Sequence, residues 1–159
     1  MAREIERKFL VINDQWQSAV VAKHRIRQGY LAQQQGVSVR VRLRGEQGWL
    51  TIKGPTTGIS RQEYEYPIPA QQAHEMLDTL ATSGIIEKIR YQVRHHQQTW
   101  EVDTFLGRNS GLLIAEIELE SEQQPFDLPP WVGDEVSQDP RYFNARLADH
   151  PYQEWSQEA

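Results

Sequence analysis

Two carboxylates and an ammonium group open the chain at alternate positions: Glu4, Glu6 and Lys8. Side chains of an extended strand alternate between faces with period two, so these three share one face and Ile5, Phe9 and Val11 take the other. Neighbouring carboxylates on one strand face repel unless water or a bound cation intervenes. The same sorting recurs along the chain as Arg40, Arg42 and Arg44, then Lys53, Glu63 with Glu65, Lys88 with Arg90, Glu101 with Asp103, and Glu116 with Glu118. Guanidinium forks grip phosphate oxygens bidentately, and lysine acts as a point charge. Carboxylate clusters hold hard divalent cations, which bridge to phosphates. Acid and base clusters facing one cavity would therefore suit a metal together with a phosphate chain.

Those side chains share a cavity only if the strands that carry them share a sheet. The pattern predicts strands over about 4–11, in HRIRQGYLA, in SVRVRLR, in WLTIKG, in SRQEYEYPI, as a pair within IIEKIRYQVRHHQQTWEVDTF, and in LLIAEIELES. Asn13 and Asp14 offer cap oxygens for a short helix through QWQSAVV, and AQQAHEMLDTLATSG has helical spacing with a stop at Gly84. The tail DLPPWVGDEV reads as irregular, and RYFNARLADH as a short helix. Eight strands joined mostly by short turns describe one large antiparallel sheet, which tends to curl or close. The pattern fits an all-β class or an α+β, mainly β, class with a barrel.

An antiparallel sheet with one wet face also alternates in this way, and pattern alone favours that simpler reading. Sorting of sign by strand speaks against it, because like charges stacked along a strand need opposite charges on neighbouring strands or a ligand. In a barrel with the charged face inward, the apolar exterior must be covered by helices and tail.

The chain of 159 residues is long enough for one domain with a real core, and it has no cysteine, which fits a reducing compartment. The sequence shows neither a signal peptide nor an apolar run near the ~20 residues that span a bilayer, so a cytoplasmic protein without a membrane partner is expected. A net charge of −5 argues against non-specific nucleic-acid binding.

Glu4-Ile-Glu6-Arg-Lys8 resembles the Glu-x-Glu-x-Lys signature of the CYTH proteins, the triphosphate tunnel metalloenzymes. The resemblance continues through Q-G-Y-L at 28–31, V-R-V-R at 39–42, T-I-K at 51–53, E-Y-E-Y at 63–66, E-K-I-R-Y at 87–91, W-E-V-D-x-F at 100–105, A-E-I-E-L-E at 115–120 and D-P-R-Y-F-N at 139–144. It implies a single CYTH domain over 1–159, a closed eight-stranded antiparallel barrel, with the segment from about 131 to 159 covering it. It also implies a small-molecule triphosphate substrate and Mg2+ or Mn2+ as cofactor, and leaves room for a homodimer. By position, Glu4, Glu6, Glu116 and Glu118 look like metal ligands. Lys8, Arg40, Arg42, Lys53, Lys88 and Arg90 look like the phosphate cradle, with Arg141 as a further contact. Asp103, Glu63 and Glu65 would support the bases or the metal, Asp103 being counted with the metal set. Glu4, Glu6, Lys88 and Arg90 are the expected catalytic groups.

Family members hydrolyse inorganic triphosphate, thiamine triphosphate or nucleoside triphosphates, and some cyclise ATP. The all-ionic tunnel favours a bare phosphate chain, so hydrolysis of inorganic triphosphate is the first expectation. Trp49 and Phe105 share parity with the charged face, which keeps an organic moiety open. The alternatives are a class IV-type adenylyl cyclase, a thiamine or nucleoside triphosphatase, and a module that binds polyphosphate without cutting it. His95 and His96 are adjacent and point to opposite faces near a hairpin turn, and His24, His74 and His150 lack partner spacing. Ser60 and Ser110 lack a nucleophile-elbow context. Trp131, Tyr142 and Trp155 are expected on the barrel exterior, while Tyr30 could face either way.

Overall fold

The computed structural model describes residues 3–157. Its strands are β1 (Arg3–Val11), β2 (Val20–Gln34), β3 (Val37–Arg44), β4 (Gln47–Lys53), β5 (Ser60–Ile68), β6 (Ile86–His95), β7 (Gln98–Phe105), β8 (Leu113–Glu118) and β9 (Val132–Glu135). The helices are α1 (Ala70–Thr79) and α2 (Asn144–Asp149). The sheet runs β5-β4-β3-β2-β6-β7-β8-β1, and β1 pairs back onto β5, which closes an eight-stranded antiparallel barrel. The ninth strand is an addition to the expected eight. VGDE carries no alternation, and only its pairing with the Phe9–Val11 end of β1 makes it a strand. The expected first helix is a 3-10 turn, Gln15–Ala19, because Val20 and Val21 already belong to the long β2.

Tight turns set the register of the hairpins. Gln35 and Gly36 both have positive φ, 53° and 83°, and link Gln34 to its partner Val37 as a two-residue turn whose twist matches the strands. His96, φ 56°, sits in the corresponding turn between β6 and β7.

The barrel has apolar clusters on two sides of its wall. Outside, Phe9, Val93, Trp100, Val102, Ala115 and Ile117 form one cluster under Trp16 and Trp131, while α1 lays Ala73 and Leu77 over Val41 and Leu43. Inside, Tyr30, Ile86, Phe105 and Ile114 receive Leu147 and Ala148 of α2. Ile86 shares parity with Lys88, Phe105 with Asp103 and Ile114 with Glu116, so these apolar side chains face inward. α2 therefore fills one end of the barrel, and Tyr142 and Trp155 pack with it rather than on the exterior wall. Among the described residues, no helix is long and apolar enough to cross a membrane.

Candidate active site

A cavity of about 700 Å3 occupies the rest of the barrel. Inward parity supplies its walls: Glu4, Glu6 and Lys8 from β1, Arg40, Arg42 and Arg44 from β3, and Lys53 from β4. Glu63 and Glu65 from β5, Arg90 from β6, Glu101 from β7, and Glu116 with Glu118 from β8 complete the ring. Register explains the charge pattern: Lys8 lies opposite Glu116, Lys53 opposite Glu63, Arg90 opposite Asp103 and Glu6 opposite Glu118. Opposite charges face each other at the first three of these pairs, whereas Glu6 faces Glu118, and Glu101 faces Glu116, with like charge.

The ion pairs follow that register. Lys8 Nζ donates to Glu116 Oε1 at 2.8 Å and lies 3.3 Å from Glu6. Lys53 Nζ donates to both oxygens of Glu4 at 2.8 and 2.9 Å and lies 3.4 Å from Glu63. Arg90 holds Asp103 bidentately, at 2.8 Å on each oxygen, and reaches Glu101 at 3.4 Å and Glu116 at 3.5 Å. Arg40 donates to Thr51 at 3.2 Å, while its buried Nε has no partner among the described residues. Among the described residues Arg42 has no carboxylate partner; its Nε donates to Gln28 at 2.7 Å. A buried guanidinium with an idle donor, beside one held only by a neutral amide, leaves this wall able to take an anion.

Protonation reflects the same geography. Burial alone would push the Lys8 ammonium down, but Glu116 and Glu6 hold it well above the usual lysine range. Burial and the repulsion of Arg40 and Arg90 push Arg42 down to about 9. Burial, only partly offset by Asp103 and reinforced by Arg90, takes Lys88 down to about 7. Burial would raise Glu116, but Lys8 and Arg90 keep it well below the carboxylate norm. Glu118 is pushed up to about 7 by burial and then by Glu4, Glu6, Glu63 and Glu101, all carboxylates. That excess of negative charge is where a cation would be welcome. The donors there are carboxylate oxygens, the chemistry a hard divalent ion takes. Among the described residues, no three carboxylates or imidazoles converge as an ion cage, because Lys8 and Lys53 stand among them.

Three expected site residues lie elsewhere. Arg141 is outside the cavity, paired with Asp139 at 2.7 Å and stacked against Tyr142 and Trp155 at 5.4 and 5.2 Å. Lys88 and Asp103 face inward but are 0% exposed and do not reach the cavity surface. Both oxygens of Asp103 are taken by Arg90 and Lys88, so it holds the bases in place and has no free oxygen edge for a metal. Several lining residues were not among the expected site. Arg44, Arg61 and Glu101 carry the same parity signal as their neighbours, whereas Arg146 and Asn144 come from α2, where no alternation marks them. Tyr30 faces inward, and Phe105 is buried with its ring 5.3 Å from Lys88 Nζ.

Known proteins share this architecture. The chain is 49% identical to an inorganic triphosphatase of Acetivibrio thermocellus over 99% of its own length and all of the relative. It is 40% identical to an inorganic triphosphatase of Nitrosomonas europaea over 91% of its length and 96% of the relative. A solved structure described as an inorganic triphosphatase superposes with a TM-score of 0.67 at 36% identity, covering 93% of this chain and 95% of that one. The pattern of the CYTH domain matches residues 2–152, and the chain belongs to the CYTH domain family.

Proposed function

We propose that the protein is a metal-dependent triphosphatase that hydrolyses inorganic triphosphate to diphosphate and phosphate. One observation carries the reading: Arg40, Arg42 and Arg90 converge on a cavity that the carboxylates of Glu4, Glu6, Glu116 and Glu118 also line. The two curated relatives bearing that activity match nearly the full chain. The cavity's walls are mainly ionic and hydrogen-bonding, with Tyr30 and Phe143 as aromatic members. Trp49 and Phe105, which parity had left available for an organic group, do not line it.

Phosphoryl transfer from a polyphosphate is chiefly positioning and charge neutralisation. Arg40 and Arg42 bind phosphate oxygens, the idle Nε of Arg40 gaining an acceptor. Arg90, fixed by its fork onto Asp103, points a guanidinium of settled orientation at the same space. Lys8 and Lys53 add point charges from the acidic side. Glu4, Glu6, Glu116 and Glu118 are the residues that would hold Mg2+ or Mn2+, which would supply charge neutralisation and Lewis acidity. Glu63 and Glu65 orient Lys53 and Arg40, from 3.4 and 3.7 Å. A cysteine-free chain acting on an inorganic anion fits a cytoplasmic setting.

Phosphate release from inorganic triphosphate, ATP and thiamine triphosphate, measured side by side with Mg2+ or Mn2+, tests the reading. Inorganic triphosphate should turn over fastest, and Glu6→Gln should lose ~10²–10³-fold of the metal-dependent rate. Cyclic product from ATP, or full turnover by Glu6→Gln, would overturn the assignment.

A further inference from the structure

Asn144 is the first residue of α2, one position past the N-cap residue Phe143. Its Oδ1 accepts from Lys88 Nζ at 2.8 Å and from Gln28 Nε2 at 3.2 Å. Gln28, 0% exposed, accepts on its other end from Arg42 Nε at 2.7 Å. The direction of this relay is fixed by its ends. Arginine and the lysine ammonium only donate, so Gln28 must turn its oxygen to Arg42 and its amide hydrogens to Asn144, whose oxygen then also faces Lys88. One carbonyl thus ties cationic side chains of β6 and, through β2, of β3.

The seat of that carbonyl is equally well defined. Leu147 and Ala148 lie three and four residues on, on the same helix face as Asn144, and they are buried among Tyr30, Ile86, Phe105 and Ile114. Gly84 lets α2 approach closely: a Cβ there would stand 2.2 Å from the Ala148 carbonyl oxygen. Asn144 lines the cavity, whereas Lys88 lies behind it, enclosed by Asp103, Asn144 and the Phe105 ring. The amide is interposed between the buried ammonium and the substrate space.

We propose that Asn144 is a positioning residue of the triphosphatase: it sets the placement of Lys88 and, through Gln28, of Arg42 relative to the bound phosphate chain. The proposal rests on the triphosphatase reading and falls with it. Removing the acceptor leaves buried donors unsatisfied, and a buried polar network that is only partly satisfied rearranges.

The test is steady-state phosphate release from inorganic triphosphate with Mg2+, alongside the melting temperature of each ligand-free variant. Asn144→Ala should lose ~10–100-fold in kcat, as a cation displaced by an ångström would. Asn144→Asp restores an acceptor of the same shape while adding a negative charge. Its kcat should return to within ~3-fold of the parent while KM stays raised, because the added charge opposes the anion. Gln28→Met cuts only the Arg42 arm and should raise KM with kcat little changed. Should the alanine variant not fold, Asn144→Ser, whose hydroxyl is too short to serve both donors, takes its place with the same expectation. Unaltered kcat and KM in Asn144→Ala or its serine substitute, or an aspartate variant no better in kcat, would overturn the inference. Either result beside an active parent leaves the triphosphatase reading standing, while an inactive parent removes both.

Discussion

Lys8 and Lys88 are both buried lysines with a carboxylate oxygen at 2.8 and 2.7 Å, and their ammonium groups behave in opposite ways. Lys8 is held charged far beyond the ordinary range, and Lys88 falls to about 7. The nearest bond is not what separates them. Lys8 meets Glu116 and Glu6 and lies in the field of Glu4, so that even with Arg90 reaching Glu116 at 3.5 Å it faces more than one carboxylate. Lys88 shares its one carboxylate, Asp103, with the bidentate fork of Arg90, and Arg42 adds repulsion. Protonation in this barrel is thus decided by the sum of neighbouring charges set against burial. The acidic side over-supplies countercharge, and the basic side under-supplies it.

The sharpest way to break this contrast is to remove the countercharges. Asp103→Ala leaves Arg90 and Lys88 close together and buried with their main partner gone, and should cost about 3–5 kcal/mol of stability, as loss of one partner from a buried pair does. Glu116→Gln should cost less, because Lys8 keeps Glu6 at 3.3 Å and Arg90 keeps Asp103. Urea unfolding of the two variants at neutral pH measures the difference. The reverse order would mean that the two sides are balanced alike.

Period-two alternation made most of this arrangement legible in the sequence, since a strand has no freedom over which face a side chain takes. Glu4, Glu6, Lys8, Arg40, Arg42, Lys53, Glu63, Glu65, Arg90, Glu116 and Glu118 all line the cavity as parity requires. Parity cannot say how deep along the axis a residue sits. Lys88 and Asp103 face inward yet are sealed off, because the barrel beside them is filled by a six-residue helix too short to announce an apolar face. The same gap explains Arg141, whose pairing with Asp139 two residues away takes it out of the cavity, and Arg146, which lines it. Gln28 and Asn144 are neutral, so no pattern of charge could single them out. The short β9 exists only through its partner strand.

The low position of Lys88 has a consequence for stability. An unfolded chain keeps a lysine protonated to about pH 10.4, whereas in the folded protein Lys88 sheds its proton near 7. Between those values the unfolded state binds more protons, so this group makes the ligand-free protein more stable as pH rises, by at most about 1.4 kcal/mol per pH unit. Lys88→Met removes that slope. Urea unfolding of parent and variant at matched pH values across the window reads it directly. Equal slopes in the two proteins would show that Asp103 alone satisfies Lys88, and the contrast with Lys8 would lose its basis.

The smallest effect belongs to Glu118, the acidic counterpart of Lys88. Burial and four neighbouring carboxylates hold it protonated to about 7, so between the ordinary carboxylate range and that value the folded state binds more protons than the unfolded one. Stability contributed by this group therefore declines as pH rises through that interval, and above it the ligand-free protein carries an unwelcome charge. Glu118→Gln removes the charge without changing the shape of the side chain. It should raise the melting temperature of the ligand-free protein above neutral pH by no more than about 2–4 °C, since the group is partly open to solvent and screened. The gain should vanish at mildly acidic pH, where the parent is protonated as well. Magnesium ions should stabilise the parent more than the variant, because the oxygen that made the site unfavourable when empty is one that a cation would use. A variant destabilised at every pH would instead place Glu118 among the paired carboxylates, with Glu116, and would move the acidic excess elsewhere on that wall.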